Sequence, residues 1–246
     1  MNKFIFDVDG TLTPSRGMID TEYKDFFLSF CKDNEVYLVT GSDREKTIEQ
    51  LGKPIYNSAA MVFNCSGNDV WKGNQHVYSN PWKMSAAVVD HLIEVGQSSQ
   101  CPEKTGNHIE SRPGSANFST VGRKANSVQR AAYIEFDNRT HEREHIVKRF
   151  NNCFVTTDNC TALIGGETGI DISETGYDKR QVLKKIKFTP RKDKLFFFGD
   201  KTTPGGNDYP LAAAIRNKSI GTVVSIKKWQ DTFEILSYYQ EARIAQ

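Results

Sequence analysis

The chain opens on Phe4-Ile5-Phe6-Asp7-Val8-Asp9-Gly10-Thr11-Leu12-Thr13, and no other stretch restricts the fold as strongly. An apolar run stops abruptly at Asp-x-Asp-Gly-Thr, so residues 4–6 are expected to form a buried strand with two acids at its end. Strand side chains alternate with period two, which projects Asp7 and Asp9 the same way. Like charges that close raise each other's proton affinity unless a cation or hydrogen bonds intervene. A hard divalent cation with oxygen ligands relieves that repulsion, and Mg²⁺ is the commonest.

Hydrophobic periodicity carries the pattern onward. Tyr23, Phe26, Phe27 and Phe30 recur at helical spacing over residues 21–32. Residues 36–40 read as a second buried strand, 43–51 as a helix ended by Gly52 and Pro54, and 61–63 as a third strand. A hairpin is expected between 70–72 and 76–78. Strand–helix–strand alternation predicts a parallel sheet with crossover helices. The pattern changes after Pro81. A helix is expected over 84–95, then strands near 108–110 and 116–119 inside a polar stretch, a helix over 139–151, and alternating strands at 154–157, 161–164 and 169–173. The opening pattern then returns: a helix over 178–186, a buried strand over 194–198 ending at Gly199-Asp200, a helix over 207–215, a strand over 221–226 and a last helix over 231–240. The expected fold class is α/β, with a discontinuous core (residues 1–81 and 186–246) interrupted by an inserted α+β cap (residues 82–185).

The formal net charge of +2 over 246 residues gives no reason to expect nucleic acid or a membrane surface as partner. No apolar run approaches the roughly 20 residues of a membrane span. The first residues lead straight into a core strand, so no leader peptide is expected. Five cysteines, odd in number and without a C-x-x-C pair, point to free thiols and a cytoplasmic location. His141 and His145 fall in a very polar run, which suits an exposed helix face better than a zinc site.

Ligands of open α/β sheets bind at the carboxyl ends of the strands. Polar residues occupy four such ends: Asp7/Asp9, Thr40/Ser42, Asn64/Ser66 and Asp200. The run Gly-Asp-Lys-Thr-Thr-Pro-Gly-Gly-Asn-Asp at 199–208 is denser than a turn requires. Asp200 and Asp208 can complete a metal site with Asp7, and Lys179 offers a cation to a nucleophile or a phosphoryl group.

This constellation resembles the haloacid dehalogenase (HAD) superfamily of phosphotransferases, whose sheet is Rossmannoid. The four motifs are Asp7 to Thr11, Thr40 or Ser42, Lys179, and Gly199-Asp200 with Asn207-Asp208. A narrower resemblance, to the eukaryotic-type phosphomannomutases, rests on longer strings. They are Phe-Asp-Val-Asp-Gly-Thr-Leu-Thr-Pro-Ser-Arg (6–16), Gly-Ser-Asp-Arg-Glu-Lys-Thr-Ile-Glu-Gln-Leu-Gly (41–52), Gly-Tyr-Asp-Lys-Arg (176–180) and Phe-Phe-Gly-Asp-Lys-Thr-Thr-Pro-Gly-Gly-Asn-Asp (197–208). The resemblance implies Asp7 as the nucleophile that forms an aspartyl phosphate and Asp9 as the acid/base. Ser42 and Lys179 complete the catalytic set, and Asp7, Asp9, Asp200 and Asp208 form the metal set. It implies Arg16, Arg112, Arg123 and Arg130 as the grip on the remote phosphate and Asp171 as a contact to sugar hydroxyls. It further implies Mg²⁺, a hexose 1,6-bisphosphate activator and hexose phosphates as the small-molecule partners, and it allows a homodimer through the cap.

Three departures from the family pattern are visible. Gly169 stands where the family has a serine that contacts substrate, and Tyr177 replaces a tryptophan. Ala214 stands where an acidic residue serves a second cation site, which is expected to be weakened or lost. The resemblance as a whole implies a phosphomannomutase that interconverts mannose 6-phosphate and mannose 1-phosphate on the way to GDP-mannose. The alternatives are a sugar-phosphate phosphatase of the trehalose- or sucrose-phosphate type and a non-catalytic sugar-phosphate-binding descendant.

Overall fold

Strand β1 (Asn2–Phe6) has apolar residues pointing to both sides, and both sides are buried. In a computed structural model describing residues 2–189 and 192–244, it is flanked by two parallel neighbours. Met1, Pro190, Arg191, Ala245 and Gln246 lie outside the described residues. After β1 come α1 (Thr21–Asp33), β2 (Glu35–Val39), α2 (Arg44–Leu51), α3 (Lys53–Ser58), β3 (Met61–Asn64) and the hairpin of β4 (Asp69–Lys72) and β5 (Gln75–Ser79). Then follow α4 (Ala86–Ser98), β6 (Ile109–Arg112), β7 (Ser115–Phe118), α5 (Ser127–Thr140), α6 (Glu142–Thr157), β8 (Cys160–Gly165) and β9 (Gly169–Glu174). The chain ends on α7 (Val182–Lys185), β10 (Lys194–Gly199), α8 (Tyr209–Lys218), β11 (Gly221–Ser225) and α9 (Trp229–Ile244).

Among the described residues the strands form two sheets. The larger has seven strands in the order β11-β10-β1-β2-β3-β4-β5, parallel from β11 to β3 and antiparallel thereafter. The smaller is antiparallel, β6-β7-β9-β8, with α4 and α6 packed against it. Alternation along β1 divides the larger core. Phe4 and Phe6 join Phe27, Phe30, Phe198 and Phe233 on one face, while Ile5 joins Val39, Phe63 and Phe197 on the other. Phe6 stacks on Phe198 at 4.8 Å between ring centroids and meets Phe27 edge-on at 5.2 Å. Each such ring contributes about 1.5–3 kcal/mol by burial.

Three expected elements differ. The helix expected over 139–151 is two helices, α5 and α6, broken at His141 in the left-handed conformation (φ 53°). Helix α5 escapes periodicity because only Tyr133 and Asp137 of its side chains are buried. Its sequence signal is the capping box of Asn126 and Gln129. Residues 154–157, expected as a strand, are the last turn of α6. There Phe154 packs on Phe150 at 4.9 Å, so tertiary contacts override the β-branched composition. The helix expected over 178–186 is a 3₁₀ turn, Lys179–Gln181, followed by the single turn α7.

Candidate active site

Three strand ends converge on one cavity of about 290 Å³. The Asp7 amide donates to the Phe198 carbonyl at 2.9 Å, which sets Asp7 level with the end of β10 and beside Asp200. The loop after β1 then reverses, with Leu12 N–H donating to the Val8 carbonyl at 2.9 Å. Gly10 adopts φ 77°, and a Cβ there would lie 2.7 Å from Asp200 Oδ2, so only glycine lets the loop close against that carboxylate.

Lys179 enters from the 3₁₀ turn, which starts at Asp178 where the carboxylate accepts from Arg180 N–H at 2.9 Å. Its ammonium, in a residue 1 % exposed, donates to Asp7 Oδ1 at 2.6 Å and to Asp208 Oδ1 at 2.7 Å. Oxygen atoms of Asp7, Asp200 and Asp208 all lie within 4.8 Å of one another. Lys201 adds a more exposed ammonium 3.7 Å from Asp200 Oδ2, and two ammoniums against three carboxylates still leave negative charge in excess. Burial and the charge of Asp208 push the Asp7 carboxyl well above its ordinary range, with Lys179 opposing and Asp200 adding. Burial and Asp208 likewise push Asp200 up to about 6. Burial works against the charge on Lys179, but Asp208 and Asp7 outweigh it and hold the ammonium above its usual value. This oxygen-only, charge-rich donor set fits a hard divalent cation such as Mg²⁺.

The carboxylate of Asp9, expected among the metal ligands, lies outside this trio of side chains. Oδ1 accepts from Arg16 N–H at 2.6 Å and from Gln50 Nε2 at 2.9 Å, and Oδ2 accepts from the Ser42 hydroxyl at 3.3 Å. The strand stops at Phe6 and the chain turns at once, so the alternation that would align Asp9 with Asp7 no longer applies. Of the two residues expected after β2, Ser42 lines the cavity. Thr40 is wholly buried, and its hydroxyl accepts from Ser42 N–H at 3.0 Å.

Arg16, Arg112, Arg123, Arg130 and Asp171 all line the same cavity as Asp7 and Asp200. Arg112 reaches across from the smaller sheet, donating to the Gly41 carbonyl at 2.5 Å and to Glu110 at 2.7 Å, with Asp171 3.8 Å away. Arg123 donates to Glu110 Oε2 at 2.6 Å and to Asn117 Oδ1 at 2.8 Å. Arg130 donates to the Thr168 hydroxyl at 3.0 Å and to Glu167 at 3.1 Å. Among the described residues no hydrogen bond or ion pair engages the Arg16 guanidinium. Its pKa is lowered to about 10 by burial and by the charges of Arg123 and Arg130, the signature of a cationic cluster suited to an anion.

Sequence reasoning passed over Glu110, Asn117 and Gln50. Glu110 lies two residues before Arg112 on β6 and so shares its face, a signal that strand alternation offers. Asn117 holds Asp171 Oδ1 at 2.8 Å and accepts from Arg123, and a Cβ at Gly169 would lie 2.6 Å from Asn117 Nδ2. The missing serine side chain is therefore occupied space.

A mostly parallel α/β sheet with Asp7, Lys179, Asp200 and Asp208 gathered at its strand ends defines a HAD-fold protein. The trehalose-6-phosphate phosphatase of Aspergillus fumigatus shares this fold with a TM-score of 0.54 at 15% identity, over 98% of this chain and 93% of that one. Sequence comparison narrows the class. The model of the eukaryotic phosphomannomutase family matches residues 23–240. The phosphomannomutase of Drosophila melanogaster is 33% identical over 215 residues, 84% of each chain, and that of Saccharomyces cerevisiae is 28% identical over 243 residues, 95% of this chain and 92% of its own. The chain belongs to the eukaryotic phosphomannomutase family and is an enzyme of that family. No described helix is long and apolar enough to cross a membrane.

Proposed function

We propose that this enzyme interconverts mannose 6-phosphate and mannose 1-phosphate through a phosphoryl group carried on Asp7. Mg²⁺ would be held by Asp7, Asp200 and Asp208, and a hexose 1,6-bisphosphate would serve as activator. One observation carries the reading: a single cavity is lined both by Asp7, whose Oδ1 Lys179 holds from behind the lining, and by four arginines. A phosphatase requires one phosphate site. A mutase requires two, because the bisphosphate must reverse and present its other end to the same nucleophile.

The chain's own groups suit the steps. Asp7 Oδ1 is engaged by Lys179, which leaves Oδ2 to attack phosphorus as the bond from phosphorus to the sugar oxygen breaks. The departing oxygen takes its proton from Asp9. Two N–H donors hold Oδ1 of Asp9, so the proton is carried on Oδ2, next to the Ser42 hydroxyl. In the return step the other sugar hydroxyl gives a proton back to Asp9 as its oxygen attacks phospho-Asp7. Mg²⁺, when bound, would neutralise charge as an anionic phosphate meets an anionic carboxylate. The arginine cluster holds the phosphate that is not reacting, and the smaller sheet with its helices serves as a cap that excludes water.

The test is a coupled assay with mannose 1-phosphate, with and without glucose 1,6-bisphosphate, recording isomer and free phosphate together. Isomer that rises with bisphosphate and outpaces phosphate is the expected result. Phosphate released as fast as isomer, or faster, would make the enzyme a sugar-phosphate phosphatase instead.

A further inference from the structure

Strand β8 is an edge of the smaller sheet, and its outward backbone groups find partners from two sources. The Asn151 side chain, on α6 of the same layer, donates to the Ala162 carbonyl at 3.0 Å and accepts from Ala162 N–H at 2.8 Å. Two residues on, Ile164 N–H donates to the Gly205 carbonyl and the Ile164 carbonyl accepts from Asn207 N–H, both at 3.0 Å. Gly205 and Asn207 belong to the loop between β10 and α8, so this loop pairs with β8 as a short parallel bridge at Gly206. The Asn207 side chain adds a third bond, Nδ2 donating to Asp171 Oδ2 at 3.0 Å. Its sequence neighbour Asp208 is fully buried in the carboxylate trio and bonded to Lys179. One residue therefore grips the sugar-facing carboxylate with its side chain and abuts the phosphoryl-transfer carboxylates through its backbone.

We infer that Asn207 is a positioning residue that latches the cap over phospho-Asp7, coupling engagement of Asp171 to the state of the Asp208 loop. The inference rests on the mutase reading above. Ala162 keeps its partner whether the cap is open or closed, since Asn151 travels with it. Ile164 has its partners, and Asp171 Oδ2 has Asn207, only while the cap sits on the loop, whereas Asp171 Oδ1 keeps Asn117 within the cap. Losing a hydrogen bond to a carboxylate shifts the closed-to-open ratio by roughly tenfold. An open cap admits water, whose oxygen bonds to phosphorus as the bond from phosphorus to Asp7 breaks, releasing phosphate and restoring the carboxylate. The latch thus sets how phospho-Asp7 partitions between sugar and water.

The experiment compares wild type, Asn207→Ala and Asn207→Asp in mannose 1-phosphate plus glucose 1,6-bisphosphate, scoring phosphate against isomer in the same reaction. The ratio is expected to rise about tenfold in Asn207→Ala and further in Asn207→Asp, where two carboxylates face each other. A fall in both products with the ratio unchanged would reduce Asn207 to a structural residue and overturn the latch. A wild type that makes no isomer would defeat the mutase reading instead, and the latch is then decided by amide exchange in the unaltered protein. By NMR, glucose 1,6-bisphosphate is expected to slow exchange at Ile164 much more than at Ala162 on the same strand. Equal slowing at both would contradict the latch.

Discussion

Lys179 and Asp7 are separated by 172 positions, yet the ammonium of one lies 2.6 Å from a carboxylate oxygen of the other with both side chains almost wholly withdrawn from solvent. Removing one partner of a buried pair strands the other charge. Lys179→Met is therefore expected to cost about 3–5 kcal/mol in urea unfolding and to lower kcat about a hundredfold or more. A variant that melts like wild type and turns over normally would remove Lys179 from the site.

The metal set makes a separate prediction. Dialysis against a chelator should abolish turnover, and added Mg²⁺ should restore it. Losing even a group that only orients a ligand costs about 10–100-fold in metal affinity. Asp200→Asn, which removes a charged member of the trio, should thus raise the Mg²⁺ concentration for half-maximal activity at least about tenfold. An unchanged titration would place the cation elsewhere.

Arg16 and Arg123 should differ in a telling way. The Arg16 guanidinium has no bonded partner among the described residues, so Arg16→Ala should raise KM about 10–100-fold with little change in Tm. Arg123 is tied to Glu110 and Asn117. Arg123→Ala should raise KM comparably and lower Tm as well, because Glu110 loses a charge-assisted bond. Steady-state kinetics beside thermal melts separates the two cases.

How much of this was legible in the sequence varied with the kind of signal. The strand ending at Asp7 could be read because a doubly buried strand is apolar throughout, and a single acid marks its end. The surroundings of Asp9 were not legible, because strand alternation ends at Phe6. The chain reverses after Phe6, and nothing local says that Asp9 will be held by Arg16 N–H and Gln50. Helix α5 was missed since it buries only Tyr133 and Asp137 and presents no apolar stripe. The arginines emerged only through family resemblance. Of their counter-ions, Glu110 could have been paired with Arg112 by strand alternation, whereas Glu167 became visible only once the fold brought it to Arg130.

Gly169 offers a sharper test of that last point. If the glycine merely lacks a serine contact, Gly169→Ser should improve binding. The space is instead filled by Asn117, which holds both Asp171 and Arg123. The substitution is therefore expected to raise KM severalfold, and a drop in KM would show that Asn117 yields easily.

The most direct test is to mix the enzyme with glucose 1,6-bisphosphate and Mg²⁺, quench in acid and map the phosphoryl group by mass spectrometry. The account predicts one phosphoryl group on the peptide carrying Asp7, formed fast enough to support isomerisation and absent from Asp7→Ala, which should be inactive. Label on another residue, or undiminished isomerisation by Asp7→Ala, would contradict it.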